Sequence, residues 1–188
     1  ESAKCFATIG LAYSNLTWSC GELQLLDEGI KYGQEVLAKR EDLEPIAYYQ
    51  SLGGLGMNYL FKGDSQNNLE LGRILREFGE SHSDLRSTVV GHICTSYAHY
   101  AAGDFAKAVE WAKKAVELSS DPLFKVWPKL ALANYFVQTD RFQEADEILR
   151  EIIPFCQELG MDFILTFALA LKGVVLIAAG QFSRGLKM

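Results

Sequence analysis

The sequence predicts an all-α fold, an array of antiparallel helix pairs stacked as an α–α solenoid. Three observations predict it. A phrase of helix end, turn and second helix recurs through the chain. The turns fall at nearly constant intervals, and glycine or aspartate occupies their centres. Between turns, apolar residues return every three or four positions, the period of a helix with one buried face.

The clearest copy is YAAGDFAKAVEWAKKAVEL at 100–118. Related phrases are YLFKGDSQNNLELGRIL at 59–75, FVQTDRFQEADEILREI at 136–152 and LIAAGQFSRGL at 176–186. Aligning Gly63, Gly103, Asp140 and Gly180 gives spacings of 40, 37 and 40, and a looser copy turns near Gly21, 42 residues before Gly63. Glycine ends a helix by entering the left-handed conformation at little cost, and a following Asp can accept from the free N–H groups of the next helix. Asp140 fits the same role, because Asp also visits that conformation. An aromatic residue then opens each second helix (Phe105, Phe142, Phe182), and a small residue follows three later (Ala108, Ala145, Gly185), where two backbones approach closely.

The second helix of the third copy shows the periodicity best. Phe105, Ala108, Val109, Ala112, Ala115 and Val116 make one apolar stripe, with Lys107, Glu110, Lys113 and Glu117 opposite. Breaks at Glu44-Pro45, Ser83-Asp84, Asp121-Pro122 and Gly160-Met161-Asp162 start the later copies. The expected helices are 3–17, 22–40, 44–62, 66–81, 84–102, 105–119, 122–138, 142–159 and 162–179, with a stub from 182. They form five pairs in one domain spanning 1–188: about 1–42, 43–82, 83–120, 121–160 and 161–188, the last truncated.

These residues resemble the tetratricopeptide repeat (TPR) family. Gly103, Phe105, Ala108 and Ala115 carry the resemblance in the third copy, Phe142 and Ala145 in the fourth, and Gly180 and Phe182 in the fifth. Gly10 with Tyr13, and Gly56 with Tyr59, give the small-then-aromatic pair of the family's first helices. The second copy departs, with Ser65 and Asn68 where an aromatic and an alanine are expected, and the family's early Trp is absent. The period near 40 is similar to that of the repeats in large bacterial signalling proteins, such as AAA-ATPase-linked adenylate cyclases and regulators of the maltose-activator kind.

The resemblance implies a right-handed superhelix whose first helices line a concave face. Carried over copy by copy, it puts Ser14, Asn15, Gln50, Met57, Tyr97, Tyr100, Trp127, Asn134, Gln138 and Phe167 on or near that face. Tyr and Trp there suit a protein or peptide partner, since they offer wide contact at small entropic cost. The competing reading is that several of them simply pack between helices. The combination of Lys, Arg and Asn with which some members clamp a terminal carboxylate is missing, which disfavours a chaperone-tail receptor.

Other chemistry finds little footing. With 18 basic and 24 acidic residues the net charge is −6, and Lys113-Lys114 is flanked by Glu110 and Glu117, so nucleic-acid binding is not expected. Cys5, Cys20, Cys94 and Cys156 lie far apart without a C-x-x-C pair, as buried thiols of a reduced cytoplasmic protein would. The apolar run 161–180 is long enough for a bilayer, but Asp162 and Lys172 interrupt it and it keeps the repeat register. Gly53, Gly54 and Gly56 lack the strand and third glycine of a dinucleotide loop, and Gly29 and Gly33 read, like them, as helix-contact positions. His92, Cys94 and His99 do not converge on one helix face, so no metal site is assigned. No cofactor and no catalytic constellation is expected.

The leading expectation is a protein-interaction scaffold within a larger cytosolic signalling or regulatory protein. The alternative is an effector-sensing module that binds a peptide or small molecule in its groove and regulates an attached enzyme such as a nucleotide cyclase; an enclosed pocket of Tyr97, Trp127 and Phe167 would distinguish it. Glu1 already lies inside a helical pattern and Met188 falls early in a second helix, the signature of a fragment. The last copy spreads Phe163, Ile164, Phe167, Leu171, Val174, Val175 and Ile177 around most of a helix, which predicts a sticky end and a homodimer through it.

Overall fold

A computed structural model describes residues 2–39 and 43–188, and among these residues all regular structure is helical. The elements are α1 (Ser2–Glu22), α2 (Leu26–Ala38), α3 (Pro45–Lys62), α4 (Ser65–His82), α5 (Leu85–Ala101), α6 (Phe105–Leu118), α7 (Pro122–Gln138), α8 (Phe142–Leu159), α9 (Asp162–Ala178) and α10 (Phe182–Gly185). From α3 onward each lies within two residues of its expected bounds. Contacts gather into two compact units, Glu1–Trp111 and Ala112–Met188, dividing within α6.

The turns explain the agreement. Gly63, Gly103, Asp140 and Gly180 all hold positive φ, at 72°, 77°, 58° and 75°. After each, the chain reverses into the next helix, and in the second and third copies an aspartate side chain caps it. Asp64 accepts from the backbone N–H of Asn67 at 3.1 Å, and Asp104 from that of Lys107 at 3.2 Å.

The first copy corrects the expectation. Helix α1 continues through Gly21 to Glu22, and the left-handed residue is Gln24, with φ 61°. Gly21 is a packing glycine: a Cβ there would stand 2.5 Å from Cε of Met57. The expected helix 22–40 therefore begins at Leu26, while residues 40–42 lie outside the described set. Counted from Gln24, the copies follow at 39, 40, 37 and 40 residues, more regular than the sequence alone suggested.

Five residues after Gln24, Gly63, Gly103, Asp140 and Gly180, the turns within the helix pairs, stands a buried position occupied by Gly29, Asn68, Ala108, Ala145 and Gly185 in turn. Asn68, the odd member, has an account. Its Nδ2 donates to the carbonyl of Gly56 at 3.0 Å, across the α3–α4 contact. In the next copy the partners exchange roles, and Ser96 Oγ on α5 donates to the carbonyl of Ala108 on α6 at 2.9 Å. Each pair keeps one polar side chain and one small residue at the crossing, so the hydrogen bond survives with the donor on either helix.

Within the first unit α3 packs on α1, α2, α4 and α5. Its glycines do what the repeat register requires. A Cβ on Gly54 would meet the backbone of Trp18 at 3.1 Å, and one on Gly56 would meet Sγ of Cys94 at 2.5 Å. On α2, a Cβ at Gly29 would collide with Oδ1 of Asn58, and one at Gly33 would lie 2.7 Å from Cβ of Leu55. These are close-approach glycines of a helical core.

Within the second unit α8 packs against both α7 and α9, and α10 folds on α9. Ala145, Leu149, Ile152 and Cys156 form the buried stripe of α8. Lys172, the cation that interrupts the apolar run of α9, is held by Asp146 of α8, which also pairs with Arg150 at 2.5 Å. No helix among the described residues is long and apolar enough to cross a membrane.

Candidate binding face

First helices of the copies carry the residues singled out for recognition, and the two units are described separately. In the first unit, Asn15 is exposed on α1 while Ser14 is buried beside it. Gln50 on α3 is half-buried, and its carbonyl accepts the indole N–H of Trp18 at 2.8 Å. Met57 and Tyr97 are 2% and 8% exposed. Both belong to the core, because each points where the neighbouring helix packs, and burial pushes the Tyr97 hydroxyl to a higher pKa. Tyr100 is half-buried and meets Phe105 edge-on, ring centres 5.7 Å apart.

In the second unit the structure brings aromatics together. Trp127 on α7 lies 6.1 Å from Phe163 on α9, and Phe163 lies 5.1 Å from Phe167 one turn on. These centroid separations are those of favourable aromatic pairs. Trp127 and Phe163 are half-buried, and Phe167 remains 43% exposed at the end of the row. Trp127, Ala131, Asn134 and Gln138 follow one another at spacings of four, three and four, so Asn134 and Gln138 continue the Trp127 stripe along α7 toward solvent. Phe163 was not among the residues assigned to the groove. Its four-residue spacing from Phe167 was the available signal, but the approach of Trp127 needs the α7–α9 contact.

The row is an aromatic surface flanked by two polar side chains, Asn134 and Gln138. Its polar members are carboxamides, which hydrogen-bond without a charge. A cleft of about 100 Å³ lies between α7 and α8, lined by Pro122, Lys125, Val126, Lys129, Glu151, Ile152 and Phe155. Ligand pockets run to several hundred Å³, so this cleft suits one side chain.

Histidines and thiols have structural partners. The Nδ1–H of His92 donates to the carbonyl of Thr88 at 2.7 Å, and its ring tilts against Trp111 at 5.2 Å. Cys94 is buried, and desolvation pushes its thiol up to about 12, far from a reactive thiolate. Cys20, Cys94 and Cys156 are free; the side chain of Cys5 lies outside the described set. Among the described residues no three His, Cys, Asp or Glu side chains cluster as metal ligands would.

No protein-family model matches the chain, and no curated protein is similar to it in sequence. Solved structures are similar in fold. One is a crystal structure of a putative kinesin light chain of Podosopora anserina, described as having nearly identical TPR-like repeats: TM-score 0.57 and 16% identity over 100% of this chain and 92% of that one. A second crystal structure of the same repeats, carrying one substitution, gives 0.57 and 16% over 94% and 89%. At this identity the likeness concerns the fold, which is that of TPR-like helical repeats.

Proposed function

We propose that the chain is a protein-interaction module that seats a segment of a partner protein on the first-helix face of its fourth and fifth copies. The observation that carries the proposal is the aromatic row Trp127–Phe163–Phe167, pre-stacked and open at Phe167. Rings already fixed by their neighbours lose little freedom on binding, and they anchor an apolar or aromatic partner side chain. Asn134 and Gln138 supply hydrogen bonds to a peptide backbone along the same stripe. The repeat fold of the similar solved structures agrees with this role. A cytosolic regulatory setting is a further part of the proposal, supported by free, buried thiols and a net charge of −6.

The test is selection from a random peptide library on the wild-type protein, with affinities then measured on Phe167→Glu and Trp127→Ala. Peptides selected through the row should lose about thirtyfold or more, the effect of removing an anchor residue. Selected peptides that bind all three proteins equally would place recognition elsewhere.

A second copy of the chain is a further candidate partner. Phe167 and Val174 are 43% and 45% exposed on α9, with Ala170 and Ala178 on the same stripe. Sedimentation at rising concentration should show a dimer that Phe167→Glu dissociates. A monomer at every concentration up to about the millimolar range rules it out, since weak contacts of about 4 kcal/mol already populate a dimer there.

A further inference from the structure

Arg76 is a half-buried cation with no counter-ion among the described residues, and it is built into place. From α4 its stem crosses α5 at Gly91, where a Cβ would stand 2.8 Å from Cγ of Arg76. Any larger residue at that position would block the path. The guanidinium then lies 4.9 Å from the centre of the Trp111 ring. Its Nη1 donates to the carbonyl of Gly91 at 3.3 Å and to Oγ1 of Thr95. Thr95 is oriented in turn by donating to the same carbonyl at 2.9 Å.

Nothing on the protein side completes the fork. Among the described residues no carboxylate reaches Arg76 within ion-pairing distance, and the Nε and Nη2 groups have no acceptor. Glu77, the neighbouring acid, is held by Arg73 at 2.5 Å. Desolvation is the largest influence on Arg76 and lowers its pKa, while Cys94, Glu80 and Glu77 act on it only at longer range. A cation taken partly out of water gains from an anion that also satisfies its remaining donors.

We propose that Arg76, lying over the Trp111 ring, receives the carboxylate of an Asp or Glu side chain from a partner peptide. The planar group, lying over the Trp111 ring and held by Gly91 and Thr95 on one nitrogen, leaves two parallel N–H donors, Nε–H and Nη2–H, for a bidentate carboxylate. This site is made of α4, α5 and Trp111 within the first unit, and it stands independently of the Trp127 row.

The rival is that Arg76 only braces three helices. An isotope-edited NMR titration separates the two. The probe is N-acetylglutamate α-methylamide, whose side-chain carboxylate is its one charge, with chloride at equal ionic strength and inorganic phosphate as comparisons. The resonances followed are the Arg76 Nε–H and the Trp111 indole N–H. The carboxylate should shift both saturably in the millimolar range, and chloride should not. Arg76→Lys keeps the charge and loses the fork, so it should weaken the binding about tenfold, the worth of one charge-assisted hydrogen bond. Arg76→Gln removes the charge and should abolish the saturable shift of the Trp111 indole N–H; if that variant fails to fold, Arg76→Lys and the wild-type titration still decide. Absence of saturation, an equal response to chloride, or a preference for phosphate overturns the assignment.

Discussion

Gly72→Ala puts two sizeable effects in opposition at one atom. An alanine in a helix interior is worth about 1 kcal/mol over glycine, so propensity alone favours the variant. The new Cβ would stand 2.8 Å from the carbonyl oxygen of Gly91 and 3.0 Å from the amide nitrogen of Thr95, with Thr95 Oγ1 nearer still. Comfortable C···O contacts begin at about 3.3 Å. Both of the first two atoms are helical backbone, which cannot rotate aside as a side chain can. Relief therefore requires α5 to retreat by roughly half an ångström along its contact with α4. That motion would also loosen Gly79, whose Cβ site is 2.7 Å from the backbone of Asp84 and Thr88, and the Arg76 stem on Gly91. Overpacking of this kind costs about 1–3 kcal/mol. With rigid neighbours the upper half of that range applies, which leaves a net loss of about 1–2 kcal/mol. Equilibrium urea unfolding followed by circular dichroism measures it. A variant more stable than wild type by about 1 kcal/mol would show propensity acting alone, and would refute the close α4–α5 contact.

Three further outcomes follow from single residues. Ala108→Trp should lower stability by about 3 kcal/mol or more, because the methyl group is fully buried where α5 and α6 cross; an unchanged melting temperature would refute the register. Asp140→Gly should raise the melting temperature slightly, since glycine holds φ 58° at no steric cost, and a marked fall would mean that the Asp side chain is needed there. Asp104 has its carboxyl lowered by the backbone N–H and then the ammonium of Lys107. A depressed folded-state pKa stabilises above the ordinary carboxylate value and is lost as pH falls through the folded one. Urea midpoints of wild type and Asp104→Asn should therefore differ at neutral pH and converge as the pH falls below the ordinary carboxylate range, and a constant difference would refute the link.

What the sequence determined was local. Turns at Gly63, Gly103, Asp140 and Gly180 were legible because the left-handed conformation restricts residue type, and helix limits follow from turns. The misread turn of the first copy shows the boundary of that inference. Gly21 and Gly63 are alike as letters, yet one packs against Met57 and the other holds positive φ with open space around it. Only the tertiary structure tells them apart, because glycine serves close approach and backbone reversal equally well.

The binding face was less legible for the same reason. Periodicity places a side chain on a helix face but does not say what covers that face. Met57 and Tyr97 were read on the groove face with Trp127 and Phe167, and they are core residues because neighbouring helices close over them. Phe163 entered the row only through the meeting of α7 and α9. Arg76 carries no sequence signal: its significance comes from what surrounds it, a glycine 15 residues on, a threonine 19 on, and a tryptophan two helices away. Spacing along the chain fixed the repeat, and the packing of helices against one another decided which of its side chains remain open to a partner.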